Sequence, residues 1–256
     1  MNDEERFEQV LEELASLIRD LGDLAFSLVL IGGQVLALES KAGGGDGRIR
    51  VTTATGINLD RGFSFESDLL FDVDAMGSHA DRLTEILRAR GYRRTREFKW
   101  RRDVDGGHGF EIDLFVPEGS DLSYVPTGMT TVTGAERAAV RHERLRIELR
   151  SGRTLELNIP DPVGFLATKI AAIVHRDEPK DAFDVFCCVH RHTPTALREQ
   201  LRAAGHEGSI LQERLRNLFG TPDARGVRDV LNYAASTDEA VSELLTRAVV
   251  DLFTGL

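Results

Sequence analysis

Apolar residues recur at helical spacing near the start of the chain and again toward its end. Over residues 4–21 they return at every third or fourth position, which predicts an amphipathic helix. At Asp161-Pro162 a capping aspartate is followed by a proline in the first turn, which favours a helix start, and only helical patterns follow. These later helices are predicted at about 162–175, 179–190, 194–204, 208–219, 225–235 and 237–253.

Strand patterns dominate the region between these helices. Short apolar runs and alternating stretches predict strands over residues 26–31, 69–75, 92–103, 109–116, 144–149 and 154–159. Helices are predicted at 34–40 and 81–90, whereas residues 41–62 are rich in Gly, Thr and Arg and are predicted to form a long loop. The whole pattern predicts an α/β domain over residues 1–159 and an all-helical domain over residues 160–256.

The composition is that of an acidic globular protein. The chain has 256 residues, 41% of them hydrophobic, and its net charge of −10 argues against a surface that coats nucleic acid generally. Cys187 and Cys188 are adjacent and cannot form an ordinary disulfide with each other. The acidic start is unlike a signal peptide, and no apolar stretch reaches the roughly 18 residues of a membrane span. We therefore expect a cytoplasmic protein without a membrane partner.

Carboxylates on the predicted strands form the first candidate site. Side chains on a strand alternate with period two, so Asp68, Asp72 and Asp74 share one face, and Asp113 lies within an apolar run on a later strand. Such carboxylates are costly unless a cation meets them, and Mg²⁺ is one such cation. Asp72 and Asp74 would be about 7 Å apart, whereas Asp68 would be about 13 Å from Asp72. Exposed acids near the end of an edge strand are the alternative for Asp68 and Asp74.

The pair Gly32-Gly33, between a predicted strand and a predicted helix, is a candidate phosphate site. Without Cβ atoms the backbone can turn sharply, and the N–H groups at the following helix start favour a phosphate. Any strand-to-helix turn can use glycine, so the alternative is a turn with no ligand.

Lys169 is the second candidate phosphate ligand, because it stands in an otherwise apolar helix. Arg176 lies seven residues later and shares its face of the helix. A compact ammonium group in this position suits a triphosphate. The alternative is a lysine that extends to the surface and pairs with Asp181 or Asp184.

Taken together, these residues resemble the nucleotidyltransferase superfamily, and within it the AbiEii-like group of abortive-infection toxins, over roughly residues 24–190. Leu30-Ile31-Gly32-Gly33 is similar to the opening Gly-Gly turn of that family. Glu111-Ile112-Asp113-Leu114-Phe115 is similar to the strand that carries its third metal carboxylate. The most specific match is Lys169, Arg176 and the segment Lys180-Asp181-Ala182-Phe183-Asp184, which resemble a helical Lys…Arg…Lys-Asp-x-x-Asp signature.

The resemblance implies a fold, a reaction and a set of partners. It implies a nucleotidyltransferase-like α+β domain with a mixed sheet, then the helical domain. The reaction would be Mg²⁺-dependent transfer of a nucleotide from an NTP to a hydroxyl of RNA, such as tRNA, or of protein. The implied catalytic carboxylates are Asp68, Asp72, Asp74 and Asp113, of which the last three would bind Mg²⁺. The implied nucleotide-binding residues are Gly32, Gly33, Lys169, Arg176, Lys180 and Asp181. A toxin of a toxin–antitoxin or phage-defence system, with a cognate antitoxin as partner, is also implied.

The sequence departs from the family at its Asp-x-Asp pair. Matching Ser67-Asp68 to the start of that pair places Leu70 where the second aspartate is expected, whereas Asp72-Val73-Asp74 has the spacing but falls later in the strand. This departure supports an alternative hypothesis. The chain would then be a catalytically degenerate member of the fold that binds a nucleotide or a protein.

Overall fold

A computed structural model describes residues 1–72, 80–104, 109–121, 125, 128–235 and 238–256. Asp74, one of the predicted metal ligands, lies outside these residues. The chain falls into two compact units. The first comprises Met1–Gly47 and Phe63–Asp161, and the second comprises Arg48–Gly62 and Pro162–Leu256.

The strands and helices are numbered separately in chain order. The strands are β1 (Leu28–Ile31), β2 (Ile49–Thr52), β3 (Asn58–Gly62), β4 (Glu66–Phe71), β5 (Arg93–Arg94), β6 (Lys99–Arg102), β7 (Phe110–Pro117), β8 (Thr130–Val132), β9 (His142–Glu148) and β10 (Thr154–Pro160). The helices are α1 (Asp3–Leu21), α2 (Gln34–Ala42), α3 (Ala80–Ala89), α4 (Glu136–Val140), α5 (Pro162–His175), α6 (Pro179–His192), α7 (Pro194–Ala203), α8 (Gly205–Phe219), α9 (Arg225–Ala234) and α10 (Glu239–Thr254). A 3₁₀ helix spans Gly22–Ser27.

The first unit is built on one mixed sheet in the order β5-β6-β7-β4-β1-β10-β9, with β8 also paired to β7. Strand β4 runs parallel to β7 and antiparallel to β1, and β1 runs parallel to β10. All four residues of β1 are buried, as expected for a central strand that is covered on both faces. The predicted α/β class and the mixed sheet are therefore confirmed.

Helix α1 forms where its periodic apolar pattern predicts it. Asn2 and Glu5 form a reciprocal capping box at its start, which satisfies backbone N–H groups that have no partner within the helix. Its apolar side chains, including Phe7, Leu11 and Leu14, are buried on one face. Among the described residues, no helix combines the length and the apolar character needed to cross a membrane.

In its described residues, the second unit comprises six helices, α5 to α10, and the antiparallel hairpin β2–β3. The prediction of a loop over residues 41–62 is wrong for the residues that form this hairpin. Ile49 and Val51 alternate with polar residues and are buried, so a two-residue period was present in a segment that was judged by its glycine content. The six helices match the predicted ones to within a few residues.

Strand β4 begins at Glu66, three residues before the predicted start, and ends at Phe71. The shift changes which acidic residues lie on the sheet. Glu66 and Asp68 belong to the strand, whereas Asp72 follows its end. Strand β8 and helix α4 were not predicted, because three and five residues are too few to establish a period.

Candidate active site

The turn after β1 brings the backbone of Gly32 against a carboxylate. Gly32 has φ +79°, and a Cβ atom built on it would lie 1.9 Å from Oδ2 of Asp68. Asp68 reaches this position because it pairs in register with Ile31, the last residue of β1. Helix α2 begins directly after the turn, at Gln34, which is buried and accepts a hydrogen bond of 2.9 Å from the Ser67 hydroxyl. Only glycine lets backbone and carboxylate approach so closely.

The neighbouring strand adds further carboxylates. Asp68 of β4 is the register partner of Asp113 of β7, and Glu66 is the partner of Glu111. Paired residues on parallel strands point to the same face, and residues two apart do so as well. The four carboxylates therefore form two acidic rows on one face of the sheet, beginning beside the Gly32 turn.

A lysine from the next strand lies among these acids. Lys99 of β6 pairs in register with Asp113. Its Nζ lies 3.2 Å from Oε1 of Glu66, 3.3 Å from Oε2 of Glu111 and 3.4 Å from Oδ1 of Asp113. Burial favours loss of its proton, but the negative charges of Asp113, Glu66 and Glu111 outweigh this and raise the pKa of Lys99. The ammonium group therefore stays charged and neutralises part of the acidic face.

Asp113 is the most enclosed of these acids, with 7% of the residue exposed. Burial raises the pKa of Asp113. The nearby Lys99 opposes this rise, whereas the negative charges of Glu66 and Glu111 add to it. Its Oδ1 is buried and accepts no hydrogen bond from any described residue. This oxygen has a cation 3.4 Å away but lacks a hydrogen-bonded partner.

The donors fit a hard divalent cation in their chemistry. Mg²⁺ prefers carboxylate oxygens and is typically held by one or two of them together with phosphate oxygens of a nucleotide. The buried Oδ1 of Asp113 and the carboxylate of Asp68 beside the turn are donors of this kind. Within the described part of the chain, no three Asp, Glu, His or Cys side chains are grouped as a ready-made metal site. The protein alone thus offers a partial set of ligands.

Leu70 and Asp72 lie away from this carboxylate set. Leu70 is fully buried and packs in an apolar cluster with Val29, Ile31 and residues of α4. Asp72 follows the opposite end of β4, where its backbone N–H donates to the Ser27 carbonyl oxygen. It lies four positions after Asp68, which corresponds to about 13 Å along a strand. The structure therefore places Asp68 next to Asp113 and does not bring Asp72 to it, and the proposed roles stay predictions.

Glu66 is the acidic residue that the sequence interpretation missed. Glu66-Ser67-Asp68 is a carboxylate pair at a spacing of two, on the same face and directly beside the glycine turn. The signal was present, because a period of two counted backward from Asp68 reaches Glu66. It was overlooked because the strand was predicted to start at residue 69.

The lysine of the predicted helical signature lies in a buried ion cluster of the second unit. Lys169 Nζ is 2.9 Å from Oδ1 of Asp181 and 2.7 Å from Oδ2 of Asp184. Arg176 donates to Asp181 over 2.6 and 2.8 Å, and Arg61 of β3 donates to Asp184 over 2.8 Å. Both aspartate side chains are fully buried, and that of Lys169 is 6% exposed. Lys169 is predicted to bind a triphosphate, with an ion pair at the surface as the alternative, whereas the observed ion cluster is buried in the core.

The cluster shifts the titration of its members. Burial alone would raise the pKa of Asp181 and of Asp184, but Arg176 and Lys169 lower the pKa of Asp181, and Lys169 and Arg61 lower that of Asp184. Burial opposes the charge of Lys169, yet Asp184 and Asp181 raise its pKa. The lysine is thus engaged by carboxylates, whereas the side chain of Arg176 is 51% exposed and accessible to solvent. Lys180 is half-buried.

Acid is expected to weaken the folded protein through this cluster. The pKa values of Asp181 and Asp184 are lowered from 3.8, so both stay ionised in the folded state at pH values where the unfolded chain binds protons. Their stabilisation is complete above about pH 4 and is lost as the pH falls through the folded-state pKa values. Urea denaturation at successive pH values would measure this. An Asp184→Asn variant should lose less stability than wild type in that range, and equal losses would contradict the assignment.

Comparisons with known proteins do not assign the chain to a family. No protein-family model matches the sequence, and no curated protein matches it either. The resemblance to nucleotidyltransferases therefore stays a prediction, and it is judged by the geometry of the residues that carry it.

Proposed function

We propose that this protein is a Mg²⁺-dependent nucleotidyltransferase that moves a nucleotide from an NTP to a hydroxyl of RNA or protein. The observation that carries the proposal is the close approach of Asp68 to the Gly32 backbone, with Asp113 beside it on the next strand. A phosphate-binding turn and metal-binding carboxylates must adjoin for this chemistry, since Asp68 and Asp113 would hold the metal that neutralises charge on the phosphates held by the turn.

The turn would bind the phosphates of the nucleotide. Helix α2 starts at Gln34, and its first backbone N–H groups and positive dipole end favour an anion there. Gly32 leaves space for the backbone to approach the phosphates. Asp68 and Asp113, assisted by Glu66, would hold Mg²⁺, which when bound supplies charge neutralisation at the reacting phosphate. Catalysis would consist mainly of positioning and electrostatic stabilisation.

The other predicted nucleotide-binding cations belong to the second unit. Arg176 is half-exposed, so its guanidinium can meet a phosphate, and Asp181 fixes its orientation through two hydrogen bonds. Lys169 would act through Asp181 as a positioning residue, because its ammonium is enclosed by two carboxylates. Lys180 remains a predicted nucleotide-binding residue.

Asp113→Asn and Asp68→Asn are expected to lower nucleotide transfer by about a hundredfold or more, because each removes a charge that balances the metal and the phosphates. Labelled NTPs with tRNA and protein acceptors measure the transfer, and calorimetry with Mg²⁺ and each NTP measures binding. Asp23→Asn is the matched control, since Asp23 is exposed on the 3₁₀ helix and should leave both quantities unchanged. Unchanged binding and transfer in the Asp113 variant would contradict the proposal.

A binding module without catalysis is the second candidate function, and two observations favour it. Leu70 is buried among apolar residues where the resemblance expects an acid, and Lys99 lies among the carboxylates where a metal would bind. Wild-type protein that binds an NTP but transfers label from none to any acceptor would support this candidate. Growth arrest on expression, absent in the Asp113→Asn variant, would instead support a catalytic toxin.

A further inference from the structure

Lys99 lies where the acidic rows of the first unit would otherwise repel one another. It starts from β6, and its Nζ passes β7 to reach Glu66 on β4. Three carboxylate oxygens surround the ammonium at nearly equal distances of 3.2, 3.3 and 3.4 Å. Arg101, two residues later on β6, makes a separate pair with Glu111 at 3.1 Å. The carboxylates are therefore neutralised by the protein itself.

We infer that Lys99 is a resident counter-ion that competes with a divalent cation for the carboxylates of Glu66, Glu111 and Asp113. The inference rests on the proposed function, because Glu66 and Asp113 are also proposed metal ligands. It states that the Lys99 ammonium occupies these carboxylates before a nucleotide binds. Free metal would then bind weakly, and the metal would enter together with an NTP, whose phosphates supply further oxygen ligands.

The distances support an ammonium that can be displaced. Charge-assisted hydrogen bonds between ammonium and carboxylate groups are typically about 2.7–2.9 Å long, and all three contacts of Lys99 exceed this range. The contact of Lys99 Nζ with the buried Oδ1 of Asp113 is the longest of the three, at 3.4 Å. A lysine has a flexible four-carbon stem, and this side chain is 17% exposed, so its head group can move toward solvent.

The test measures metal affinity without a nucleotide. Mn²⁺ binding, followed by electron paramagnetic resonance, is compared in wild type, Lys99→Met and Lys99→Arg. We expect Lys99→Met to bind Mn²⁺ about tenfold more tightly or better, because a positive charge a few ångströms from the metal is removed. Lys99→Arg retains the charge and should resemble wild type. Lys41→Met is the matched control, since Lys41 pairs with Glu8 away from the acidic rows and its loss changes the net charge equally.

A second measurement uses the wild-type protein, in case Lys99→Met does not fold. Lys99 is one of four lysines in the chain, so its labelling by an amine-reactive reagent can be followed by mass spectrometry. Saturating Mn²⁺ or Mg²⁺ should raise the labelling of Lys99 severalfold, whereas Lys41 should stay unchanged. Equal labelling with and without metal would overturn the inference.

The results also separate this inference from the proposed function. Tighter Mn²⁺ binding in Lys99→Met, with no such change in Lys41→Met, supports the competing ammonium even when no nucleotide is transferred. Equal affinity in wild type and Lys99→Met overturns the inference, and so does an equal gain in the Lys41 control. An intact transfer reaction in wild type would still support the enzyme in either of those cases.

Discussion

Asp184→Asn is expected to destabilise the protein by about 3–5 kcal/mol, the usual effect of removing one partner from a buried ion pair. The Asp184 carboxylate is fully buried, with Oδ1 2.8 Å from Nε of Arg61 and Oδ2 2.7 Å from Nζ of Lys169. An amide of nearly the same size removes its negative charge. Lys169 is then left with Asp181, and Arg61 loses the carboxylate that it contacts inside the unit.

Urea denaturation of wild type and variant measures this loss. Asp251→Asn provides the matched control, because Asp251 pairs with Arg247 on the same unit but both side chains are about 70% exposed or more. The control should cost no more than about 1 kcal/mol. A double variant, Lys169→Met with Asp184→Leu, should lose less than the sum of its single changes, since Lys169 and Asp184 contact each other and each single change leaves the charge of the other unbalanced. A loss below about 1 kcal/mol in Asp184→Asn would rule out the expected penalty.

Gly32→Ala is expected to reduce Mg·NTP binding by about a hundredfold and to lower stability as well. Alanine at φ +79° is strained, which costs about 1–2 kcal/mol. Its Cβ would also lie 1.9 Å from Oδ2 of Asp68, a distance that two non-bonded heavy atoms do not tolerate. Asp68 or the turn must move, and either movement separates the proposed metal ligand from the proposed phosphate site.

Gly152→Ala separates the effect of backbone strain from the effect of the clash with Asp68. Gly152 has φ +81°, so alanine there carries a similar backbone strain, but its Cβ would have no atom within 4 Å. We expect Gly152→Ala to lower stability in urea and to leave nucleotide binding by calorimetry unchanged. Equal binding by the two variants would mean that the contact of Gly32 with Asp68 has no part in the site.

Local patterns were sufficient to predict most of the fold. The apolar period of α1 and the Asp-Pro start of α5 depend on residues close together in the sequence, so they can be recognised without a structure. The start of β4 was missed because the polar residue Glu66 precedes its apolar run. One shifted boundary then concealed the acidic residue that shares a face with Asp68.

The candidate site was harder to predict, because its partners are distant in sequence. Arg61 and Asp184 are 123 residues apart, and no period in the chain relates them. Lys99 contacts Asp113 because β6 and β7 are neighbours in the sheet. It also contacts Glu66, because β4 is the next strand beyond β7 in the sheet. A pattern predicts which residue types a strand carries, whereas strand order decides which cation meets which acid.

The hairpin β2–β3 determines where the chain can be divided into fragments. The chain passes between its two units at residues 47–48, 62–63 and 161–162. A truncation after residue 159 would therefore retain Arg61 but delete Asp184, and the complementary fragment would retain Lys169 and both aspartates without that arginine. Neither product then contains the complete ion cluster around Asp184. A loss of activity in a deletion series would then reflect misfolding. A fragment that carries the helices would also need to include residues 48–62.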